Sequence, residues 1–396
     1  MRVLLVSPLP GIDPACGDVI YTQMLLAHPP EGVVYETYSD ALQRGVLVEH
    51  GRRKRFWREP FLTAACKIVN TTRSRRWLFW EPFRILTVKP GEYDLVHVHV
   101  FSCGFRNLDC PLVISNAAPL RFLYTGARGW SEARTALVEK IEVALAKAFG
   151  INHVSYTLPQ ATRLVVFTQY LKEWYITHKI MPADRIDIAP IYLPAPAATP
   201  RPNVNPTRVG FIAKDFDAKG GQTLLKAWEI VRRSRPDAGL TIVGSMSRLE
   251  APAAEALDIQ WLPHVERSRL LHEILPAWDV FAYPTEFDGL PLVALEAMSL
   301  GIPIATSSYQ AMPEIVGRAG LVSPVGAAET LAQNILRLLE PEANAQFRSG
   351  AAARFREVYS ARSVAPRLLD AYRLAQQAFP SVPAAREVGE SVKWRI

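Results

Sequence analysis

The sequence predicts an α/β protein with two halves, each built on a parallel sheet covered by helices. Short apolar runs alternate along the chain with longer runs of helical periodicity, and this alternation is typical of parallel sheets. A stretch with six prolines, residues 189–207, interrupts the series and is expected to act as a semi-rigid spacer. The 396 residues suffice for two domains with hydrophobic cores of ordinary size.

The apolar runs predict the order of the strands. Those of the first half are RVLLV, DLVHVHV, PLVIS and RLVVFT, and those of the second half are RVGFIA, LTIVGS, DVFAYPT and IPIATS. Helical periodicity occurs in QTLLKAWEIVRRSRP, LVALEAMSLG and the C-terminal RSVAPRLLDAYRLAQQAF. Ligands of open α/β sheets bind beyond the carboxyl ends of the strands, so two joined sheets predict a ligand in the cleft between them.

The composition limits the classes of function without choosing one. The formal net charge of +7 suits anionic partners such as phosphorylated ligands, acidic lipid or nucleic acid. The four cysteines form no CxxC pair, which favours reduced thiols over a structural zinc site. The apolar run at the N-terminus is too short for a signal peptide, and no stretch approaches the ~20 apolar residues of a membrane span. We therefore expect a cytoplasmic protein.

The segment TEFDGLPLVALEAMSLGIPIATS, residues 285–307, places acids on both sides of a predicted helix start. Pro291 suits the first turn of this helix and Gly301 its end. Asp288 precedes the helix, whose first N–H groups favour an anion, and Glu296 follows on the second turn. This order fits a ligand with hydroxyls at both ends and a diphosphate between them, as in a nucleotide sugar. Alternatively, Asp288 only caps the helix and Glu296 is an exposed helical acid.

The same segment resembles the C-terminal signature of glycosyltransferase family 4, the retaining enzymes of the GT-B fold. The family has two acids separated by seven residues, then EAM with a glycine and a proline, then PEIV. Here Asp288 and Glu296 have that separation, and MPEIV follows. RVGFIAKDFDAKGG is similar to a second family segment, with Lys214 at the position of the usual arginine and Lys219 at that of the usual lysine. The resemblance covers most of the chain and is weak between residues 33 and 92.

This resemblance implies the GT-B fold, with two Rossmann-like domains facing a central cleft. Together with the spacer, it predicts an acceptor-binding domain over residues 1–190 and a nucleotide-sugar-binding domain over residues 207–363. The last helix, about residues 364–396, would pack back on the first domain. The implied function is retaining, hexosyltransferase-like transfer from a nucleoside diphosphate sugar to a hydroxyl of a glycan or lipid-linked glycan precursor, as in polysaccharide biosynthesis. The alternatives are a GT-B nucleotide-sugar epimerase and a non-catalytic nucleotide-sugar-binding protein.

The resemblance also implies roles for individual residues. Glu296 would hold the ribose hydroxyls, Asp288 the transferred sugar, and Lys214 and Lys219 the diphosphate leaving group. Two cations and a helix N-terminus can stabilise that group without a metal ion, and no DxD motif lies near them, so we expect no cofactor and no essential metal. Further expected donor contacts are Gly17, His264, Val265, Glu286, Gly289, Leu290 and Pro291.

Acceptor-side candidates come from the first half of the chain. In the strand DLVHVHV, we expect His97 to be buried and hydrogen-bonded, and His99, near the end of the strand, to face the cleft. The family often has a histidine after the strand PLVIS; this chain lacks it, and Asn116 lies nearby.

The chain departs from the family at several expected sugar or phosphate contacts. Asp288 stands where the family usually has Glu, and Glu286, two residues earlier, could reach the sugar instead. Asp18 replaces the second glycine of a Gly-Gly pair, and Gln310 and Ala311 replace a pair of residues before PEIV. These departures leave the nucleotide base and the sugar of the donor open.

Two segments of the first half combine basic and aromatic residues. Their basic residues are Arg52, Arg53, Lys54, Arg55 and Arg58 in the first segment, and Arg73, Arg75, Arg76 and Arg84 in the second. Such segments can lie at an anionic membrane interface, where a lipid-linked acceptor would be found, so we predict peripheral contact with the inner membrane face. Core aromatics with a solvated basic face are the alternative, and we expect no nucleic-acid partner.

Overall fold

The computed structural model describes residues 1–7, 17–50, 84–99, 103–115, 130–149, 158–194, 204–244 and 257–379. Over these ranges the chain is an α/β protein with two six-stranded parallel sheets and one three-stranded sheet, which confirms the predicted class. No helix in these ranges is long and apolar enough to cross a membrane.

The first half contains one large sheet and the small sheet. Its strands are β1 (Arg2–Val6), β2 (Val34–Thr37), β3 (Leu47–His50), β4 (Arg84–Val88), β5 (Leu95–His99), β6 (Cys103–Arg106), β7 (Leu112–Ser115), β8 (Arg163–Val166) and β9 (Ile186–Ile188). The large sheet has the order β2-β1-β5-β7-β8-β9, with all neighbours parallel. In the small sheet, β4 pairs antiparallel with β3 and parallel with β6.

The second half contains the other large sheet. Its strands are β10 (Arg208–Ala213), β11 (Gly239–Gly244), β12 (Ile259–Leu262), β13 (Val280–Tyr283), β14 (Ile304–Ser307) and β15 (Gly320–Ser323). They are all parallel, in the order β12-β11-β10-β13-β14-β15, which is the strand order of a Rossmann domain.

Helices connect the strands and cover the sheets. They are α1 (Gly17–Ala27), α2 (Tyr38–Gln43), α3 (Glu132–Phe149), α4 (Gln169–Thr177), α5 (Gly221–Ser234), α6 (Leu292–Ser299), α7 (Met312–Val316), α8 (Ala328–Leu338), α9 (Pro341–Arg354) and α10 (Ala361–Ala378). Shorter helical turns occur at Leu158–Gln160, Ala183–Arg185, Arg267–Arg269, Leu270–Ile274, Leu275–Ala277, Gly317–Ala319 and Phe355–Tyr359.

Both faces of the first large sheet are buried, which explains the apolar sequence of its strands. In β1, Val3 and Leu5 belong to a core that extends into the second half, whereas Leu4 and Val6 pack into a separate core on the opposite face. A parallel sheet covered on both faces needs such continuous apolar runs, because successive side chains point to opposite faces.

The last described helix, α10, returns to the first large sheet. It contacts β7, β8 and β9, and the hydroxyl of its Tyr372 lies 2.8 Å from that of Tyr35 in β2. Main-chain hydrogen bonds tie its start to the end of the first half: Leu193 donates to Tyr359 (3.1 Å), and Ala361 donates to Leu193 (3.2 Å). The domain boundaries 1–190 and 207–363 stay predictions.

Each large sheet has one point where the direction of its strand order reverses. In the first sheet the chain passes from β1 to β2 on one side and later to β5 on the other. In the second it passes from β10 to β11 and β12 on one side, then to β13 on the other. Ligands of open α/β sheets bind at such a switch point, beyond the carboxyl ends of the strands. The residues that follow β10 and β13, and those that follow β1 and β5, are therefore the expected ligand contacts.

We predict that Gly210→Ala in β10 destabilises the fold. A Cβ at this position would lie 1.9 Å from Cδ2 of the buried Trp278, and overpacking of this kind costs about 1–3 kcal/mol. Urea denaturation measures the free energy of unfolding. Gly239→Ala in the neighbouring strand is the matched control, because among the described residues its Cβ would meet only the carboxylate of Asp258, at 3.6 Å. Equal stability of the two variants would contradict the prediction.

Candidate functional site

The loops that follow β10 and β13 lie against each other at the switch point of the second sheet. Gly220 adopts a left-handed conformation, with φ of 76°, and a Cβ there would lie 1.9 Å from the carbonyl oxygen of Pro284. The backbone N–H of Glu286 donates to Ala218 O at 3.0 Å. A glycine is therefore required where the two loops touch.

This contact brings two of the predicted site residues together. Lys219 Nζ lies 2.6 Å from Asp288 Oδ2 and also donates to the carbonyl of Phe287 at 2.7 Å. The Tyr283 hydroxyl donates to the same carboxylate oxygen at 2.5 Å. Burial, and secondly the Asp288 charge, raise the pKa of Tyr283 well above its usual value, so this hydroxyl remains a donor. Tyr283 was not predicted as a site residue.

Lys214 and Glu286 occupy exposed positions on the same two loops. Lys214 follows β10 directly, and Glu286 lies two residues before Asp288. Thr223 of α5 donates to the Glu286 carboxylate at 3.4 Å. The Glu286 side chain therefore hydrogen-bonds to helix α5, whereas the Asp288 side chain hydrogen-bonds to Tyr283 of β13.

Helix α6 begins directly after this loop, as predicted, with Pro291 as its N-cap residue. Gly289 and Leu290 connect Asp288 to the helix. Proline has no side-chain acceptor for the first N–H groups of a helix, so Pro291 leaves these groups available to an anion. The helix is followed by Gly301 in the left-handed conformation, with φ of 68°, which also agrees with the sequence.

Glu296 on α6 is buried rather than exposed, which excludes the interpretation of this residue as a solvated helical acid. Its side chain is 5% exposed, and Oε1 accepts a hydrogen bond from Arg267. Oε2 is buried and makes no hydrogen bond within the described part of the chain. Burial raises the pKa of Glu296, and the Arg267 charge opposes that shift. An unpaired carboxylate oxygen of this kind suits a ligand hydroxyl.

His264 and Val265 lie in the loop that follows β12. His264 is exposed, and Val265 is half-buried against the core. The same loop leads to Arg267, so the residues expected near the nucleotide base are joined to the partner of Glu296. Sequence reasoning missed Arg267, and its position three residues after His264 was the available signal.

The N-terminus of α1 comes close to the N-terminus of α6. A Cβ at Gly17 would lie 3.5 Å from Cδ1 of Leu292. The next residue, Asp18, places Oδ1 3.4 Å from Nε2 of His99 at the carboxyl end of β5. His99 is fully buried, contrary to the expectation that it faces the cleft. Asn116 lies outside the described residues.

A chain of buried hydrogen bonds runs inward from His99. Ser115 Oγ lies 2.7 Å from His99 Nδ1 and 2.8 Å from His97 Nε2, and His97 Nδ1 lies 2.7 Å from the Tyr372 hydroxyl. The expectation that His97 is buried and hydrogen-bonded is confirmed. Burial, and secondly the neighbouring His99, lower the pKa of His97 to about 3.

One carboxylate joins the two halves of the chain. Glu314 lies in α7, within the PEIV motif. Its carboxylate accepts hydrogen bonds from the backbone N–H groups of Gln169 (2.7 Å) and Tyr170 (2.8 Å) at the start of α4. An acid at a helix N-terminus is favourable because the helix dipole and the first N–H groups both attract it. The sequence motif carried no indication of this contact.

Solved structures share this architecture at low identity. Sucrose-phosphate synthase from Thermosynechococcus elongatus superposes with a TM-score of 0.60 at 17% identity, over 95% of this chain and 99% of that protein. The Anabaena protein HepE, crystallised with UDP and glucose, superposes with a TM-score of 0.57 at 15% identity, over 93% and 98%. The chain therefore has the GT-B fold of glycosyltransferases, with two Rossmann-like domains.

The sequence comparisons relate part of the chain to one family. Residues 206–341 match the family model described as Glycosyl transferases group 1. Amylovoran biosynthesis glycosyltransferase AmsK of Erwinia amylovora is 28% identical over 157 residues, 35% of this chain and 37% of that protein. D-inositol 3-phosphate glycosyltransferase of Pseudarthrobacter chlorophenolicus is 26% identical over 254 residues, 59% of each. The chain thus spans less than two thirds of the length of these curated relatives, and family 4 membership stays a prediction.

We predict that the buried His97 makes stability depend on pH. The folded chain keeps His97 uncharged down to about pH 3, whereas an unfolded chain binds this proton near pH 6.5. The contribution is fully present above about pH 6.5, decreases between there and about pH 3, and is lost below it, with a slope of about 1.4 kcal/mol per pH unit for one proton.

Urea denaturation of His97→Gln between pH 4 and pH 7 tests this. The variant should be less stable at pH 7, and its free energy of unfolding should fall less steeply as the pH is lowered. His272→Gln, at an exposed position, controls for loss of a histidine in general. Parallel pH curves for wild type and His97→Gln would contradict the prediction.

Proposed function

We propose that this chain is a retaining glycosyltransferase that moves a hexose from a nucleoside diphosphate sugar to a hydroxyl of a glycan or lipid-linked glycan precursor. The observation that supports it best is the row of groups at the second switch point. It consists of the Lys219–Asp288 pair, the N-terminus of α6 directly after Pro291, and the buried Oε2 of Glu296, which has no hydrogen-bond partner among the described residues.

The diphosphate would lie at the N-terminus of α6. Lys219 lies in the adjoining loop, and Lys214 is exposed at the end of β10 beside it. Glycosyl transfer builds negative charge on the departing phosphate, and fixed cations together with oriented N–H groups stabilise such charge. In this proposal the reaction needs no metal ion, because these groups take that role.

The ribose would bind at Glu296. Arg267 holds one oxygen of this carboxylate, and the other faces no hydrogen-bond donor among the described residues. A buried acceptor without a partner gains the full benefit of a ligand hydroxyl, since its desolvation has already occurred. Val265 and His264, from the loop before Arg267, would meet the base.

The transferred sugar would bind at Asp288. Both hydrogen bonds that Asp288 accepts from described side chains, Lys219 and Tyr283, use Oδ2, so within the described residues Oδ1 is available to a sugar hydroxyl. Once Oδ1 accepts from a sugar hydroxyl, it is no longer the free nucleophile that a double-displacement mechanism needs. We therefore propose transfer on one face of the sugar, with the leaving phosphate accepting the proton of the acceptor hydroxyl.

The relatives support the choice of donor and acceptor class. The Anabaena structure contains UDP and glucose, and the Erwinia protein is named for amylovoran biosynthesis. Both are consistent with a nucleotide-sugar donor and a polysaccharide acceptor for this chain. Contact of the protein with an anionic membrane remains a prediction. Its arginines at 52–58 and 73–83 lie outside the described residues, and only Arg84, at the start of β4, lies within them.

Calorimetric titration with UDP, GDP and their glucose and mannose conjugates tests the donor site. Glu296→Gln should weaken binding of the free nucleotide and the nucleotide sugar alike, because both contain ribose. Asp288→Asn should weaken mainly the nucleotide sugar, because the free nucleotide has no sugar for Asp288 to hold. The loss of one hydrogen bond to a charged group corresponds to about 10- to 100-fold in affinity.

Two controls make this titration specific. Glu286→Gln should change little if Asp288 is the acid that holds the sugar, and Glu273→Gln removes an exposed acid of a surface ion pair with Arg269. A sugar-selective loss in Glu286→Gln but not in Asp288→Asn would move the sugar contact to Glu286. Absence of binding to every nucleotide by the wild type would contradict the proposed function.

We also predict that Lys219→Ala and Lys214→Ala each reduce turnover at least ~100-fold, the usual scale for loss of one charge-stabilising group. Release of nucleoside diphosphate from the best-binding donor measures this. The melting temperature of Lys214→Ala should barely change, because this residue is exposed. EDTA should leave wild-type turnover unaffected. Tight donor binding without turnover in the wild type would favour the non-catalytic alternative, and wild-type turnover in both variants would exclude the lysines from catalysis.

A further inference from the structure

We propose that Asp18 is an acceptor-binding residue that takes an uncharged sugar or polyol hydroxyl, and that the buried chain His99–Ser115–His97–Tyr372 positions its carboxylate. This inference rests on the proposed function and assigns a residue and a substrate class to the acceptor side. It starts from a position at which the chain departs from the similar family, where glycine is usual and Asp18 stands instead.

The position of Asp18 matches that of Asp288 in the other half. Asp288 follows β13 at the switch point of the second sheet, and Asp18 meets the end of β5 at the switch point of the first. Each carboxylate lies near a nitrogen: Lys219 Nζ is 2.6 Å from Asp288 Oδ2, and His99 Nε2 is 3.4 Å from Asp18 Oδ1. The contact of Gly17 with Leu292 places Asp18 next to the start of α6, where the diphosphate of the donor would bind. An acceptor held by Asp18 would therefore lie beside the donor.

Asp18 can reach a ligand, whereas its partner cannot. The side chain of Asp18 is 32% exposed and that of His99 is fully buried. Nε2 of His99 makes no hydrogen bond among the described residues, and it lies 3.4 Å from Asp18 Oδ1. The ring is packed against Tyr21, with a centroid distance of 4.3 Å, so its orientation is fixed.

The hydrogen-bond chain has one direction that satisfies the Asp18 carboxylate. His97 is neutral and has a single N–H. If the Tyr372 hydroxyl donates to His97 Nδ1, then His97 Nε2–H donates to Ser115, and Ser115 donates to His99 Nδ1. His99 then carries its proton on Nε2, which faces the carboxylate. The reverse direction would aim a nitrogen lone pair of His99 at Asp18, which is repulsive. We assign the first direction.

This arrangement orients the Asp18 carboxylate. Aligned donors in a buried chain polarise one another, so the N–H of His99 is a stronger donor than that of an isolated imidazole. Asp18 also lies in the first turn of α1, where a negative charge is favourable. A fixed carboxylate accepts hydrogen bonds from hydroxyls and repels phosphate. The acceptor group bound here is therefore a neutral sugar or polyol rather than a sugar phosphate.

The test compares transfer with hydrolysis in the full chain. Transfer is measured by mass spectrometry with the octyl glycosides of glucose, galactose and mannose as acceptors, and with glucose 6-phosphate and mannose 6-phosphate as charged ones. Hydrolysis is measured as release of nucleoside diphosphate from the same donor without acceptor. The variants are Asp18→Asn and His99→Gln. Asp40→Asn is the control, because Asp40 is also in the first turn of a helix of the first half but bonds to Thr37.

Wild type should use at least one octyl glycoside in preference to both sugar phosphates. Asp18→Asn should raise the KM for that glycoside about 10- to 100-fold, the scale of one hydrogen bond to a charged group, and should change hydrolysis by a clearly smaller factor. His99→Gln should raise the same KM by a smaller factor, with kcat less affected, because it acts through Asp18. Asp40→Asn should match wild type.

The other outcomes separate this inference from the proposed function. Hydrolysis without transfer to any octyl glycoside, or a preference for the sugar phosphates, would overturn the assignment of a neutral acceptor and leave the donor site standing. An unchanged acceptor KM in Asp18→Asn, or an equal loss of transfer and hydrolysis, would exclude Asp18 as an acceptor-binding residue. Absence of donor binding and hydrolysis in wild type would refute the proposed function, and this inference with it.

Discussion

The close approach of two loops at Gly220 is the constraint on which the second switch point depends. A Cβ on residue 220 would lie 1.9 Å from the carbonyl oxygen of Pro284, so there is no space for a side chain. Glycine also adopts the left-handed φ of 76° with little strain. Because the loops touch here, Lys219 reaches across to Asp288, although 69 residues separate them in the sequence. The same contact fixes the direction in which the chain enters α6.

The two large sheets have similar switch points, but the groups beside the carboxylate differ chemically between the two halves. Each sheet places one carboxylate at its switch point and supplies it with a buried or half-buried donor. In the second half this donor is an ammonium group, which can also serve a phosphate. In the first half it is a fully buried imidazole, whose Nε2 lies 3.4 Å from the Asp18 carboxylate. In our proposal, this difference in partner lets one architecture hold a charged ligand on one side and an uncharged one on the other.

Sequence reasoning predicted the second half better than the first, and the reason is physical. The spacing of Asp288 and Glu296 is read along one helix start, where local geometry determines which groups are neighbours. The pairing of Glu296 with Arg267 and of Lys219 with Asp288 depends on how strands are ordered, which residue patterns do not contain. Short strands such as β9 and β12 were not predicted, because three or four residues with mixed burial carry no clear alternation. The burial of His99 also escaped prediction, since strand periodicity assigns a face but not the helix that covers its end.

The contact of Glu314 with α4 has a consequence for measuring motion. The amides of Gln169 and Tyr170 belong to the first turn of a helix, so no carbonyl within that helix can accept from them. Their protection from hydrogen exchange comes instead from a carboxylate of the other half. Their exchange rates therefore report the breaking of this contact between the two halves, together with any local unfolding of α4 or α7. The opening of the contact is thus measurable at two adjacent amides, with no label attached to the protein.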